Sequence, residues 1–322
     1  MWYTCCWLLT ESLRLLIKEL GPEYKMLPET FAFSFISCLL LIIGLLLNGF
    51  IVIINFFWWI KHQTLQTINV IITSLGLVRI ALLGIFAQFI YIAISDISML
   101  HIDAYPETIG TLTVCLMFCS LWWASVLCVF YCVKITNYSN TFFMRLKMKI
   151  STMIPWLLLI SLVISFISSL PYIRFIYYLP IVNGTNDGIM KVNLVNMFII
   201  ISTGSVIPFV LCCMAIYLTV VSLLRHTRNM NSRDSGFSDA QRDIHLSVIR
   251  NMVSLLLLYA LYFVTYVMIP IFIELKYNLS VSFIFLCAFP NLHSASLIVS
   301  NKELKKSFLV VFSCTWLLHI KQ

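Results

Sequence analysis

Long apolar runs separated by short polar stretches set the rhythm of this chain. Runs of at least about 18 residues, each able to cross the ~30 Å hydrocarbon core of a bilayer as a helix, recur seven times. They fall at about Phe31–Phe57, Ile68–Ile94, Ile109–Val133, Ile150–Ile173, Met197–Leu224, Val248–Ile273 and Val281–Ser300. The pattern predicts an all-α integral membrane protein, a bundle of seven transmembrane helices. The third run is the most sharply bounded. It carries no charge through its interior and ends at Phe130-Tyr131-Cys132-Val133-Lys134, followed by a polar loop.

Composition supports the membrane reading. Of the 322 residues, 61% are hydrophobic and only 11% charged, against about 25% charged in a soluble globular protein. Folded surface grows too steeply with mass for a water-soluble chain of this length to hide so much apolar surface. The net charge of +8 does not point to nucleic acid, because the positive residues sit in loops between apolar runs and lack interleaved aromatics. Most of the cysteines, including Cys38, Cys115, Cys119, Cys128, Cys132, Cys212, Cys213 and Cys287, lie within apolar runs, where they are small packing residues. No Cys or His spacing fits a metal site, and no cofactor is expected.

Seven spans put the termini on opposite sides, and the loops predict which. One side collects Lys61; Lys134, Arg145, Lys147 and Lys149; the arginines between Arg225 and Arg250; and Lys302, Lys305, Lys306 and Lys321. The other side has only Arg14, Lys18, Lys25, Arg174, Lys191 and Lys276. Basic residues favour the cytoplasmic face, so the C-terminus is expected inside and the N-terminus outside. Asn183-Gly184-Thr185 is then a usable glycosylation sequon in an outer loop, Asn278-Leu279-Ser280 lies close to a span, and Asn137-Tyr138-Ser139 is inside and silent. The expected organisation is an N-terminal extension over 1–28, a seven-transmembrane-helix domain over 29–300, and a cytoplasmic tail over 301–322.

Within the extension, Trp2, Trp7, Leu8, Leu9, Leu13, Leu16, Ile17 and Leu20 form one side of a short amphipathic helix, broken at Gly21-Pro22. Glu11, Arg14 and Lys18 spoil a secretory signal. An interfacial extension and a start at Met26 remain the two readings. In the tail, Leu304, Phe308, Leu309, Val311 and Phe312 predict a helix lying on inner-leaflet lipid. Cys314 is a lone juxtamembrane cysteine, open to acylation but weak as a signal. The long polar connection Arg225–His245 is a solvated loop or, on the basic face, also a partner contact.

Arg79 does not belong in lipid. It sits in Leu75-Gly76-Leu77-Val78-Arg79-Ile80, far from either end of the second run. A charge at that depth costs ~2.5–3.5 kcal/mol on insertion scales, so Arg79 is expected to face the bundle interior and bond there. Asn48 of the first run and Asn291 and Ser294 of the seventh are the expected partners. Two readings stand side by side: a polar hub coupling spans one, two and seven, and a static structural clamp. Pro171, Pro208, Pro270 and Pro290 interrupt spans, and Tyr172, Tyr259, Tyr262, Phe263, Tyr266 and Phe283 crowd the outer halves nearby. Interfacial belts account for some of these aromatics, a mostly apolar ligand pocket for others. His62, His101, His226, His245, His293 and His319 are scattered. There is no catalytic motif and no enzyme activity is expected.

Several stretches together resemble the bitter taste (type 2 taste) receptors, a family of G protein-coupled receptors. They are Asn48-Gly49-Phe50-Ile51; Leu77-Val78-Arg79, where the family more often reads Ala-x-Ser-Arg; and Leu127–Ser139, similar to Leu-Ser-x-Phe-Tyr-x-x-Lys-Ile-Ala-Asn-Phe-Ser. Leu224–Met230 is similar to Lys-His-Thr-x-x-Met. His293–Lys305 matches His-Ser-x-x-Leu-Ile-x-x-Asn-x-Lys-Leu-Lys, with an exchange at Glu303. Absent are an Asp-Arg-Tyr ending, Asn-Pro-x-x-Tyr, and a cysteine in Arg174–Asn196, which argues against a rhodopsin-like receptor.

The resemblance implies a multi-pass cell-membrane glycoprotein that binds small bitter compounds in the outer half of the bundle. It implies coupling to a gustducin-type heterotrimeric G protein at the inner face. Tyr131, Lys134, Arg225, His226, Arg228, Lys302 and Lys305 would face that partner. The Phe-Tyr-x-x-Lys register puts Thr113 and Met117 where family members often have a tryptophan and an asparagine, implying a less polar pocket. Tyr259 matches an aromatic deep in the sixth span and is the expected switch; Tyr262, Tyr266 and Phe283 complete the expected ligand contacts. A vomeronasal type-1 pheromone receptor is the rival reading, disfavoured by the His-Ser-x-x-Leu-Ile and Lys-His-Thr-like stretches. A transporter or channel is more remote, because one buried arginine and no inverted repeat make a poor permeation path.

Overall fold

The computed structural model describes residues 28–95, 105–136, 141–172, 177–178, 181–182, 185–186, 191–231, 250, 252–265, 268 and 280–319. The N-terminal extension, the sequons at Asn137, Asn183 and Asn278, Tyr266 and Pro270 lie outside the described residues.

The apolar runs form helices, and several helices outlast the runs that predict them. α1 is Pro28–His62, α2 Thr67–Ser95, α3 Tyr105–Ile135, α4 Thr141–Ser169 and α5 Leu194–Asn231. α6 is described over Met252–Thr265. α7 is Ser280–Ser300 and α8 Lys302–His319. Among the described residues, α1 to α5 are each long and apolar enough to cross a membrane. α4 starts well before the expected Ile150, because its first turns, Thr141–Lys149, carry Arg145, Lys147 and Lys149. Hydropathy marks the part of a helix in lipid, not the whole helix. α4 also contains Pro155, a helix-internal proline the pattern of interruptions missed.

Local chemistry sets the ends. α1 stops where Gln63 takes a left-handed φ of 54° and donates its N–H to Trp59 O at 2.7 Å, an αL ending. The connection to α2 is short, which makes the two helices antiparallel neighbours. Gly76 brings them close, since a β-carbon there would lie 3.0 Å from Val52 Cγ2. α8 is capped by Asn301, whose Oδ1 accepts from the N–H groups of Glu303 at 3.0 Å and Leu304 at 3.2 Å. Buried Leu304 and the edge of Phe308 on Phe50, 5.4 Å between centroids, tie α8 to the bundle. Between α4 and α5 lie two small antiparallel ladders: β1 Tyr177–Tyr178 with β4 Lys191–Val192, and β2 Ile181–Val182 with β3 Thr185–Asn186.

α3 is the axis of the bundle. Within its apolar stretch 67% is buried by protein, against 28% in α1 and in α4. A helix apolar all round is a helix buried all round. The outer faces of α1, α4 and α5 expose Leu46, Trp156 and Tyr217, surface that only lipid suits. The core has two parts. One gathers Leu82, Phe86, Met117, Phe118, Tyr259, Tyr262 and Phe289; the other gathers Ile71, Leu75, Leu127, Cys128, Ile154 and Leu297. On α2 and α7 the seam between them is polar, with Arg79 on the one and His293 and Ser294 on the other.

Gly204 matters to the first part of the core. A β-carbon there would sit 2.3–2.6 Å from three carbons of the Phe118 ring, so α5 approaches α3 this closely only because the residue is glycine. Gly204→Ala is expected to destabilise by about 1–3 kcal/mol through overpacking and to lower the amount of receptor at the cell surface. Gly49→Ala, where a β-carbon meets nothing within 4 Å, is the control; equal surface labelling of the two variants would refute this packing role.

Candidate functional site

Arg79 is 1% exposed, and the helices around it supply its partners. Its Nε donates to Ser120 Oγ of α3 at 3.3 Å, and one terminal nitrogen donates to Ser294 Oγ of α7 at 3.1 Å. The other terminal nitrogen makes a short contact to His293 Nδ1. A guanidinium only donates, so His293 Nδ1 accepts, and the ring is neutral with its hydrogen on Nε2. Ser294 in turn donates to Asn48 Oδ1 at 2.8 Å, and Asn48 Nδ2 donates to Gly44 O at 2.8 Å. The chain's 13 acidic residues all fall outside the apolar runs, so neutral acceptors hold the cation. Hydrogen bonds to a charged group contribute ~1.5–3 kcal/mol each, which offsets its insertion cost.

The expected partners are thus partly corrected. Ser294 bonds Arg79 directly, while Asn48 reaches it only through Ser294. Asn291 instead donates to Leu40 O of α1 at 2.6 Å, and Gly44 leaves room for it, since a β-carbon there would lie 2.2 Å from Asn291 Oδ1. Hydrogen bonds run from α1 through α7 to α2, and α3 joins them through Ser120, a partner absent from the expected set. The depth argument that singles out Arg79 applies in weaker form to Ser120. His293 was legible in the His293-Ser294 pair, but not the direction of its ring.

A small cavity lies beside this layer. Leu82, Met117, Ser120, Leu121, Tyr262 and Phe289 line it, and it has room for about one water molecule. Of the expected ligand contacts, it brings Met117 and Tyr262 together. Thr113 is buried one turn away on α3, with its hydroxyl donating to Ile109 O at 2.7 Å. The side chain of Phe283 lies outside the described residues.

Tyr259 sits beside this cavity, not on its wall. Fully buried, it packs tilted against Phe209 of α5, centroids 5.1 Å apart, and meets Phe289 of α7 edge-on at 6.5 Å. Its hydroxyl donates to Ser205 O of α5 at 3.0 Å. Ser205 lies three residues before Pro208, in the turn that the proline loosens because it has no N–H to donate. Ser125 of α3 reaches the carbonyl of Pro208 itself at 2.7 Å. Two hydroxyls, one from α6 and one from α3, therefore serve the proline turn of α5.

At the other end, Tyr131 is half-buried, and Lys134, Lys302 and Lys305 are exposed. Lys134 Nζ lies 5.9 Å from the Phe130 ring centroid. Asn69 of α2 bonds Glu303 and Asn301 at 3.5 and 3.4 Å, fixing where α8 leaves the bundle. Arg225, His226 and Arg228 lie on α5, but their side chains lie outside the described residues.

Known proteins resemble this arrangement at two levels. The profile of the taste receptor protein (TAS2R) family matches residues 26–316. Taste receptor type 2 member 9 of Macaca mulatta is 31% identical over 292 residues, covering 84% of this chain and 89% of that one. Taste receptor type 2 member 8 of Gorilla gorilla gorilla is 29% identical, covering 85% and 92%. Taste receptor type 2 member 39 of Homo sapiens is 30% identical, covering 83% and 82%. Among solved structures, squid rhodopsin superposes with a TM-score of 0.63 at 14% identity, over 93% of this chain and 90% of its own. That likeness carries the fold alone, a seven-helix membrane bundle. The missing rhodopsin-like motifs separate the sequences, not the architecture.

Proposed function

Because the chain belongs to the taste receptor type 2 family, and is therefore a multi-pass membrane receptor of the G protein-coupled kind and not an enzyme, we propose that it senses small bitter compounds in a pocket in the outer half of the bundle. The observation that carries this reading is the cavity between Met117 and Tyr262, set against the polar Arg79 layer. A ligand wedged there touches α3, α6 and α7 at once. The walls are apolar with few polar groups, as suits small organic ligands. Thr113, Tyr259, Tyr266 and Phe283 extend the proposed contact surface. Thr113 spends its hydroxyl on its own helix, which supports a pocket less polar than those of relatives with tryptophan and asparagine at these positions.

The N-terminus is outside and the C-terminus cytoplasmic in this proposal, with Asn183 glycosylated. Tyr131, Lys134, Arg225, His226, Arg228, Lys302 and Lys305 face a gustducin-type heterotrimeric G protein, and the apolar face of α8 rests on inner-leaflet lipid. An agonist shifts the population toward the active arrangement by its differential affinity for it. The experiment is calcium imaging of cells expressing the full chain with a promiscuous G protein against a broad panel of bitter compounds. A response to some compounds, absent from mock cells, is expected. Silence across the panel despite surface labelling would sink the bitter reading, and glycan at Asn137 without glycan at Asn183 would overturn the orientation.

A further inference from the structure

One of the residues lining the cavity beside Tyr262 has a hydroxyl whose hydrogen is not spoken for. It is Ser120, whose Oγ accepts from Arg79 Nε at 3.3 Å. Its own hydrogen has no acceptor among the described residues. Behind it stands a guanidinium with neutral partners only, whose Cζ also lies 6.0 Å from the ring centroid of Phe289, a second wall residue. Ser120 is therefore a donor backed by positive charge beside an otherwise apolar cavity. Such a side chain favours an electronegative atom. Room for about one water molecule is also room for one oxygen atom.

We propose that this cavity takes a single acceptor oxygen, a carbonyl of a small apolar ligand, and that Ser120 is the residue that selects for it. The proposal rests on the reading of the cavity as the inner tip of the agonist pocket. The ring of such a ligand extends away from Ser120, displacing the Met117 side chain, which is unbranched and adaptable. A hydroxyl that donates to the ligand becomes a better acceptor for Arg79, because hydrogen bonds in a chain polarise one another. The ligand carbonyl, Ser120, Arg79, Ser294 and Asn48 then form one continuous line of bonds from the pocket to α1. Selection for an acceptor and coupling to the polar layer are in this way one property of one side chain.

The test is binding to the purified full-length receptor in detergent, read as the shift of its thermal midpoint during titration. The probes are cyclohexanone and methylenecyclohexane, the same ring with C=CH2 in place of C=O. Cyclohexanone is expected to bind about tenfold more tightly, the worth of one neutral hydrogen bond. Ser120→Ala should remove that preference without weakening the alkene, and Ser120→Thr should restore it. Ser120→Cys, similar in size and a weak donor, replaces the alanine variant if that one does not fold. Equal affinities, no binding of the ketone, or a preference unchanged in Ser120→Ala would overturn the proposal. The readout needs no G protein. A receptor that prefers the ketone through Ser120 yet stays silent to the bitter panel refutes the signalling reading and leaves this one standing.

Discussion

Arg79→Leu is expected to reach the cell surface and to lose signalling. The substitution removes the bonds to Ser120, Ser294 and His293, but it also removes a buried charge that costs ~2.5–3.5 kcal/mol in the membrane. The two serines can turn their hydroxyls to carbonyls of their own helices, as Ser165 and Ser205 do at 2.7 Å. Only His293 Nδ1 is left without a donor, at ~1–3 kcal/mol. The stability terms nearly cancel. The connection of α2 to α3 and α7 does not survive, so surface labelling within about twofold of wild type should accompany a loss of agonist response of at least about tenfold. Arg79→Lys should be intermediate, since one ammonium cannot reproduce the planar fork that serves three partners. Surface labelling and calcium imaging on the same cells decide it. Full signalling at normal expression leaves the polar layer as a static clamp.

Tyr259 separates packing from switching through two substitutions. Tyr259→Ala deletes a ring that is fully buried between α5 and α7. Removal of a core aromatic costs ~3–5 kcal/mol, so the receptor should be scarce at the surface. Tyr259→Phe keeps the ring and deletes only the bond to Ser205 O, worth ~0.5–1.5 kcal/mol. If that bond holds α6 to the proline turn of α5 in one of two arrangements, the EC50 should move by up to about tenfold at unchanged surface amount. An EC50 for Tyr259→Phe equal to wild type, with normal labelling, removes Tyr259 as a switch and leaves it as packing.

The polar layer shows how far residues alone carry the reading. Arg79 is conspicuous because hydrocarbon makes a charge costly wherever it lies along a span. Ser294 follows, as a small polar group at matching depth on another span. The same reasoning points to Asn48 and Asn291, but Asn48 reaches Arg79 only through Ser294, and Asn291 bonds Leu40 O instead. Depth is legible in a sequence, but rotation about a helix axis is not, because spans apolar on every side have no periodic face to read. α3 is the extreme case. Protein buries two thirds of its apolar stretch, so Ser120 and Ser125 carry no mark that distinguishes them from packing residues.

The helix ends behave the same way. The basic start of α4 falls outside its apolar run because hydropathy drops there, although the backbone continues as helix. Pro155 lies inside α4 without ending it.

The sequence by itself determined the class of molecule: a membrane bundle, its spans and their loops, the family through its inner-end motifs, and the arginine that had to turn inward. These follow from transfer energies and motif spacing, which depend on residues in order along the chain. Tertiary structure alone decided which neighbours Arg79 acquired, that Gly44 and Gly204 permit close approach, that Tyr259 bonds the carbonyl of Ser205, and that Ser120 joins the polar layer to a cavity. Each of these needs side chains from different helices within about 3 Å, and only the rotation and depth of packed helices set such distances.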